Sequence, residues 1–428
     1  MTLDNGLFRL DDKACVGIVA GSGRLPVEIA DALVGSGRKV HIVAVDPAAD
    51  EGISKFPSDR IALGQVGRLI SILEHNDCRD LIISGAIGRP DLRSLRTDFG
   101  FYRHLPRILS LMRGGDDAVL RRVIRFFEDQ GFRVHGLAEL APELLVGVGT
   151  ITTTQPAATA HSDAALGYAF IRDIGDLDIG QAAIVRDGAI RAIEGAEGTD
   201  GLLRRLAEQR GDGSRDGILV KASKPQQDLR IDIPTIGPNT VENCVAAGLG
   251  GIAVEANRSV IVDRATTLRM AEQSGVVILG IANVVDDGVH GRASDAPATP
   301  ICVPGQRKPS WERHRDAAVA LFTLGRLGPH TTQPTVVVKR EYVCAVGVNE
   351  QPIDVARRAR QVAPRRRRRD LGVLGIGSSA ELGDEMIAEA ARIGISGIAV
   401  HCEPRSNDMD RLINLAGTAG MFVATVAP

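Results

Sequence analysis

The chain has few aromatic residues and few cysteines for its 428 residues. Aromatic side chains make up 3% of the sequence, and the six cysteines are scattered, with no CxxC pair among them. This spacing argues against a zinc site and a disulfide framework, and it is typical of the reducing cytoplasm. No run approaches 18 apolar residues, so we expect no membrane-spanning helix. The net charge of −2 gives no global attraction to nucleic acid.

Glycine is abundant, with 48 residues, while the 44% hydrophobic and 24% charged content is ordinary for a globular protein. The length predicts two or three domains. Over residues 1–140, short apolar runs alternate with helical patterns, beginning with a strand at 16–20 that ends in a glycine turn. Because strands that alternate with helices indicate a parallel sheet, we expect a Rossmann-like N-terminal domain here.

A second domain of mixed α/β type is predicted over residues 151–283. Two of its strands form a predicted hairpin that turns at Asp187-Gly188. The segment 286–309 is rich in Asp, Gly, Ala, Pro and Ser, a composition typical of a linker.

The last part of the chain, residues 310–428, repeats the pattern of the second domain. The motif at 314–316 resembles the motif at 161–163, and further apolar matches follow in the same order. We interpret this as an internal duplication. A run of arginines and then Gly372 stand where the first copy has two lysines and Asp232. The predicted fold class is α/β, with a Rossmann-like domain, a mixed α/β domain and a degenerate repeat of the latter.

The segment 221–237 carries the most informative charges of the chain. Lys221, Lys224, Arg230 and Asp232 lie at near-alternating positions before a Pro-Thr-Ile-Gly turn. Lysine and arginine can hold phosphate oxygens, and an aspartate between them can bind a divalent metal or activate a water. The alternative is a strand edge whose charges face solvent.

Two glycine turns provide further candidates. Gly21, Ser22 and Gly23 precede a helix, so their backbone could approach a phosphate at the positive end of the helix dipole. A structural tight turn is the alternative. Arg89 follows a predicted strand and is a candidate diphosphate contact, or else an exposed arginine in an ordinary loop.

Polar residues before two helices and one strand complete the set. Asp117 lies at a helix start, where it could cap the helix or bind a metal or a ribose. Thr199 and Asp200 also precede a helix, so they are either caps or, with Glu197, groups that could bind Mg²⁺. Gln181 precedes a strand and could donate a hydrogen bond to a base or a sugar.

Six motifs in this order resemble the LpxI family of UDP-2,3-diacylglucosamine pyrophosphatases. They are Gly21–Pro26, Gly85–Pro90, Gly115–Arg122, Asp178–Gln181, Glu197–Asp200 and Lys221–Gly237. The resemblance covers about residues 14–283. It implies a two-domain enzyme that depends on Mg²⁺ or Mn²⁺ and hydrolyses UDP-2,3-diacylglucosamine to UMP and 2,3-diacylglucosamine 1-phosphate (lipid X) in lipid A biosynthesis. It also implies a cytoplasmic protein, with a peripheral contact to the inner membrane left open.

The resemblance assigns the key aspartate to Asp232, which would bind the metal together with Asp200. Lys221, Lys224 and Arg230 would be the other catalytic residues. The candidate substrate-binding residues are Gly21, Ser22, Gly23, Arg89, Asp117, Gln181, Thr199, Gln227 and Thr235.

Other interpretations are compatible with the same residues. A non-catalytic protein that binds a nucleotide sugar or a lipid, or that regulates another protein, would use the same basic residues. An NAD-dependent oxidoreductase would rest only on the glycine turn. A monomer and a homodimer are both compatible with a duplicated domain.

Overall fold

The computed structural model describes most of the chain. The described residues are 14–46, 50–86, 97–103, 105, 116–210, 215–282, 301–302, 309–363, 370–378, 382–401 and 407–425. They form two compact units. The first unit comprises Met1–Gly149, Gln226–Asn239 and Glu255–Met270, and the second comprises Thr150–Pro225, Thr240–Val254 and Ala271–Pro428. Each unit is thus assembled from separate stretches of the chain.

The first unit contains a five-stranded parallel sheet. Its strands are β1 (Cys15–Ala20), β2 (Lys39–Asp46), β3 (Ser58–Ala62), β4 (Asp80–Ser84) and β5 (Arg133–Val134). Their spatial order is β3-β2-β1-β4-β5. The central strands are apolar along almost their whole length because helices cover both faces of such a sheet. The predicted Rossmann-like sheet is confirmed.

Among the residues that the structure describes, five helices accompany this sheet. They are α1 (Leu25–Gly35), α2 (Val66–His75), α3 (Phe99–Arg103), α4 (Asp116–Glu128) and α5 (Leu137–Leu140). The Asp98 carboxylate accepts hydrogen bonds from the backbone N–H groups of Gly67, Arg68 and Phe101, so it caps α2 and α3 together. A Cβ at Gly100 would lie 2.3 Å from the Cα of Gly67, so glycine permits this close approach of the two helices.

The segments 226–239 and 255–270 join the first unit through backbone pairing. They contribute β10 (Thr235–Ile236) and β12 (Val260–Ile261), which form a parallel pair. The N–H of Val146 donates to the carbonyl of Ser259, and the N–H of Asn257 donates to the carbonyl of Val146. Val260 is buried in the same apolar cluster as β1 and α1. The contacts of Val146 with Asn257 and Ser259 join residues more than a hundred positions apart.

The second unit contains two six-stranded sheets. In spatial order, the first consists of β6 (Gly149–Thr150), β13 (Val277–Ile281), β11 (Gly251–Glu255), β9 (Ile218–Lys221), β7 (Ala182–Arg186) and β8 (Ala189–Ile193). The helices of this half are α6 (Ala160–Ile174), α7 (Gly198–Glu208), α8 (Pro238–Ala246) and α9 (Arg264–Gln273), the last two shared with the first unit. The predicted hairpin is confirmed, since Asp187 and Gly188 both have positive φ between the antiparallel strands β7 and β8.

The second sheet has the same arrangement as the first. In spatial order, it consists of β14 (Ile301–Cys302), β19 (Phe422–Thr425), β18 (Ile395–Val400), β17 (Gly372–Ile376), β15 (Pro334–Lys339) and β16 (Tyr342–Val348). Its helices are α10 (Trp311–Leu327), α11 (Pro352–Val362), α12 (Asp384–Ile393) and α13 (Asn407–Thr418). In both sheets an antiparallel hairpin lies at one edge, and its first strand is antiparallel to the next strand inward.

The α/β fold class is confirmed, but the compact units differ from the predicted domain ranges. The boundaries near residues 140 and 151 divide the chain into contiguous domains, whereas 226–239 and 255–270 belong to the first unit. The cause is that 255–270 pairs with Val146 and packs on the core of the first unit, while 226–239 pairs with 255–270 through β10 and β12. Most of the predicted linker lies outside the described residues. Within the part of the chain that the structure describes, no helix is both long and apolar enough to cross a membrane.

Candidate active site

Several predicted site residues lie at one edge of the first sheet of the second unit. Strand β9 ends at Lys221 and is parallel to β11, while the antiparallel strand β7 begins just after Gln181. Gln181 and Lys221 therefore share the edge at which β9 and β11 end, and the Gln181 carbonyl accepts a hydrogen bond from the N–H of Ala222 at 3.0 Å. Ligands of parallel sheets bind at this end of the strands. We call it the carboxyl edge.

Two lysines bring positive charge to the carboxyl edge. Lys221 is a buried residue, and Lys224 follows it three positions later with a side chain only 10% exposed. The Lys224 ammonium donates to Asp178 Oδ1 at 2.5 Å. Asp178 adopts a left-handed backbone conformation with φ of 53°, a conformation that Asp tolerates better than most residues. The ion pair therefore holds the Lys224 ammonium in one position, whereas a solvent-exposed lysine would move freely.

Glu194 organises this edge, although the sequence interpretation did not single it out. Its side chain is buried, and its two oxygens accept hydrogen bonds from the N–H of Gln181 at 2.8 Å and from the Thr199 hydroxyl at 3.0 Å. A Cβ at Gly180 would lie 2.5 Å from the Glu194 carbonyl oxygen, so only glycine fits there. The one signal in the sequence is an acid that directly follows the apolar strand β8. Glu194 therefore positions two predicted substrate-binding residues.

Asp200, the second predicted metal ligand, also lies in the second unit. Its Oδ1 accepts a hydrogen bond from the side-chain amide of Asn243 at 3.0 Å. Asp200 is in the first turn of α7, where its charge complements the helix dipole. The predicted capping role is wrong, because Thr199 and Asp200 lie inside α7, whose N-cap is Glu197 and which has no side-chain capping hydrogen bond.

Asp232, the predicted key aspartate, lies in the segment of the first unit that follows Pro225. Its Oδ2 accepts a hydrogen bond of 2.6 Å from the side-chain amide of the buried Gln227, which also donates to the Asp232 carbonyl at 3.2 Å. The N–H of Asp232 donates to the carbonyl of Asp228. Thr235 donates its hydroxyl hydrogen to the Ile233 carbonyl. The carboxylate is therefore oriented by a neutral amide.

Arg230, predicted as catalytic, is held by two carboxylates within the first unit. Its guanidinium donates to both oxygens of Asp228, at 3.0 and 2.8 Å, and to Glu128 Oε1 at 3.0 Å. The hydrogen bond to Asp228 raises the pKa of Arg230, and the same bond lowers the pKa of Asp228. This geometry gives Arg230 a role in holding the loop against α4. Its catalytic role stays a prediction.

The two glycine turns of the first unit pair with each other. Gly21 donates its N–H to the Ser84 carbonyl at 2.8 Å, while Ser22 donates both its N–H and its hydroxyl hydrogen to the Ala86 carbonyl. Gly85 has φ of 88°, and a Cβ there would lie 2.6 Å from the Ser22 carbonyl oxygen. These contacts match the tight-turn alternative. Around Gly23 a Cβ would meet no atom within 4 Å, so this backbone is accessible.

An acidic network at the opposite end of the first sheet was not anticipated. Asp80 begins β4, is 1% exposed, and accepts hydrogen bonds from Arg133 at 2.7 and 2.8 Å and from His135 at 2.7 Å. Burial raises the pKa of Asp80, but the hydrogen bonds from Arg133 and His135 outweigh it, so the net pKa lies below its ordinary value. Because the network is at the amino ends of the strands, we assign it to stability.

The residues present suit a divalent ion that takes some of its ligands from the protein and the others from a substrate. No cluster of three or more His, Cys, Asp or Glu side chains suited to a metal occurs among the described residues. Mg²⁺ typically takes one or two carboxylates plus substrate phosphates, so a single oriented carboxylate such as Asp232 suits it. Asp200 belongs to the other unit. Arg89 lies outside the described residues, and so does the side chain of Asp117 in α4.

Comparisons with known proteins cover the first two thirds of the chain. The family model of the LpxI N-terminal domain matches residues 15–144, and that of the LpxI C-terminal domain matches residues 147–279. The UDP-2,3-diacylglucosamine pyrophosphatase LpxI of Caulobacter vibrioides is 36% identical over 271 residues, which are 62% of this chain and 97% of that protein. The second sheet of the second unit lies beyond both matched ranges.

Proposed function

The chain belongs to the LpxI family, and on this basis we propose that it hydrolyses UDP-2,3-diacylglucosamine to UMP and 2,3-diacylglucosamine 1-phosphate in lipid A biosynthesis. A water oxygen would form a bond to one phosphorus, while the bond from that phosphorus to the bridging oxygen breaks and a proton is released. The 36% identical relative carries the name of this activity and spans nearly its whole length in the alignment.

The observation that carries the proposal is the pair of shielded lysines at the carboxyl edge. Pyrophosphate cleavage needs positive charge on the phosphoryl oxygens and an oriented water, and no covalent intermediate. Lys221 and Lys224 can supply that charge because burial strengthens their field. Gln181 and Thr199, held by Glu194, offer hydrogen-bonding groups at the same edge.

Asp232 is the group that we propose holds Mg²⁺ or Mn²⁺. When bound, the ion would neutralise phosphate charge and lower the pKa of a water. Gln227 keeps the Asp232 carboxylate in one orientation by donating to its Oδ2. We extend the proposal to an acylated substrate that reaches the protein from the inner-membrane surface, with the reaction on the cytoplasmic side.

The decisive experiment measures UMP release from UDP-2,3-diacylglucosamine with Mg²⁺ for the wild type and for Asp232→Ala in parallel. We expect activity in the wild type and a loss of roughly 10³-fold in the variant, the size of effect typical when a main electrostatic group is removed. Circular dichroism and the thermal midpoint of both proteins serve as controls for folding. A folded, metal-supplied wild type that binds the substrate but releases no UMP would contradict the hydrolase and favour a binding protein.

A further inference from the structure

The two sheets of the second unit share contacts at a fixed sequence offset. Asp163 Oδ1 accepts the N–H of Gly188 at 2.8 Å, and Asp316 Oδ1 accepts the N–H of Glu341 at 2.8 Å. The members of each corresponding pair are 153 positions apart. We call 150–225, 240–254 and 271–282 the first repeat, and 309–425 the second repeat.

The same offset recurs at two arginines. Arg205 donates to the Ile193 carbonyl, and Arg358 donates to the Val346 carbonyl, which again are equivalent positions. Each arginine also pairs with a glutamate eight residues earlier, Glu197 and Glu350 respectively. The repeats therefore have the same local hydrogen-bond geometry as well as the same strand order.

The repeats contact each other through these equivalent groups. Arg205 donates to Glu350 Oε1 at 2.7 Å, and the reciprocal pair places Arg358 Nε 3.5 Å from Glu197 Oε1. All four side chains are no more than 12% exposed. They form a neutral ring of two arginines and two glutamates, which we call the four-residue ring. Reciprocal contact between equivalent positions is the defining property of a twofold interface between like subunits.

Other equivalent elements also meet. The edge strands β8 and β16 are in contact with each other. One cluster of buried apolar side chains continues through both repeats, with Phe170 and Ile171 from α6 and Leu321 and Leu324 from α10 among its members. The contact is therefore apolar in its core, and the charges are paired.

The repeats differ in charge at a pair of equivalent positions where they face each other. Asp173 and Arg326 are equivalent, and they bind each other, with Arg326 Nη2 3.3 Å from Asp173 Oδ1. Arg326 also donates to Asp176 at 3.0 Å, and His330 pairs with Asp173 Oδ2 at 2.8 Å. In a symmetric pair of two first repeats, Asp173 would face a second Asp173. In this chain the second repeat has Arg326 at that position, so Asp173 faces an opposite charge.

We propose that the second repeat is a built-in subunit, so that the chain is a monomer whose second repeat occupies the face that a two-domain relative would present to another copy. The alignment includes 97% of the Caulobacter relative and leaves no room in it for a second repeat. The equivalent face of that protein therefore has no second repeat of its own chain packed against it. The Asp173–Arg326 pair makes the covalently attached repeat the preferred occupant over a first repeat from a second chain. This proposal is independent of the hydrolase activity.

The test uses the full chain with a protease site inserted between residues 283 and 300. The uncut protein is expected to have the mass of one chain, 45.4 kDa, in sedimentation equilibrium. After cleavage, the two halves are expected to remain together as a one-to-one complex at micromolar concentration. An uncut mass of two chains, or halves that separate while each keeps its circular dichroism spectrum, would overturn the proposal.

Charge reversal then tests the self-facing position. Arg326→Asp places two carboxylates opposite each other and should weaken association of the cut halves roughly a hundredfold, because like charges that face each other across an interface destabilise it. The double variant Asp173→Arg/Arg326→Asp should recover tenfold or more of that loss. Arg411→Asp is the matched control, since Arg411 makes an exposed pair with Asp384 inside the second repeat. An Arg326→Asp effect equal to that of Arg411→Asp, or no recovery in the double variant, would contradict the proposed interface.

Discussion

Lys224 donates a hydrogen bond of 2.5 Å to Asp178, and this ion pair lies at the carboxyl edge beside the buried Lys221. If Lys224 neutralises phosphate charge, Lys224→Ala should lower kcat/KM by roughly 10²-fold. Asp178→Ala should reduce it less, because the ammonium remains but is less well positioned. Steady-state rates of UMP release measure both effects. The exposed Lys55→Ala provides the control, and a Lys224→Ala rate equal to the control rate would exclude Lys224 from catalysis.

Metal removal should separate the roles of Asp232 and Lys224. We expect EDTA to abolish UMP release in the wild type and added Mg²⁺ to restore it, because the Asp232 carboxylate, oriented by Gln227, repels a pyrophosphate unless a cation lies between them. Lys224→Ala should keep the Mg²⁺ concentration that gives half-maximal activity, whereas Gln227→Ala should raise it. Equal activity with and without EDTA would show that the protein works without a divalent ion.

The glycine turns of the first unit should tolerate no side chain at Gly85. Its φ of 88° and the 2.6 Å approach of the Ser22 carbonyl to a Cβ both disfavour alanine, so Gly85→Ala should lower the free energy of unfolding by about 2 kcal/mol or more. Gly35→Ala is the matched control, since a Cβ at this position in α1 meets no atom within 4 Å. Urea unfolding followed by circular dichroism compares the two variants. Equal stability would contradict the backbone pairing of the two turns.

Asp80 should make the first unit sensitive to acid. Its pKa in the folded state lies below its ordinary value, so its stabilising contribution is present above pH about 4 and is lost as the pH falls through the folded-state pKa. Asp80→Asn should therefore lower the free energy of unfolding at neutral pH by about 2 kcal/mol, and with it the thermal midpoint. The thermal midpoint of the variant should then fall less steeply toward pH 3 than that of the wild type. Thermal midpoints from pH 3 to 7 test this, with the exposed Asp31→Asn as the control. A decline as steep in Asp80→Asn as in the wild type would assign the acid sensitivity to other groups.

Truncating an arginine of the four-residue ring should lower stability much more than truncating the exposed arginine next to it on α11. Arg358→Ala leaves Glu197 and Glu350 buried with one arginine between them, and breaking such a buried network typically costs about 3–5 kcal/mol. Arg357→Ala, one position earlier, removes only exposed pairs with Asp354 and Glu389 and should change stability little. Denaturant midpoints of the second unit compare the two. A loss in Arg358→Ala no larger than that in Arg357→Ala would show that the ring contributes little.

The sequence by itself determined the local structure and the charged residues of the carboxyl edge. Alternating apolar runs specify the strands of both units because burial of an apolar face depends on periodicity along a few residues. Asp187-Gly188 specifies the hairpin turn, since these residues adopt positive φ at low cost. Lys221, the last residue of β9, and Lys224, three positions later, are visible in the sequence as residues of the carboxyl edge because a strand ends at the edge of its sheet.

Only the tertiary structure decided which distant segments pack together. The assignment of 226–239 and 255–270 to the first unit depends on pairing between β10 and β12 and between Val146 and Ser259, which no local pattern reveals. Glu194 gave little signal because its importance depends on partners on other elements. The four-residue ring joins residues up to 161 positions apart. Contacts of this kind depend on the three-dimensional approach of surfaces, whereas propensity and periodicity report only on neighbours along the chain.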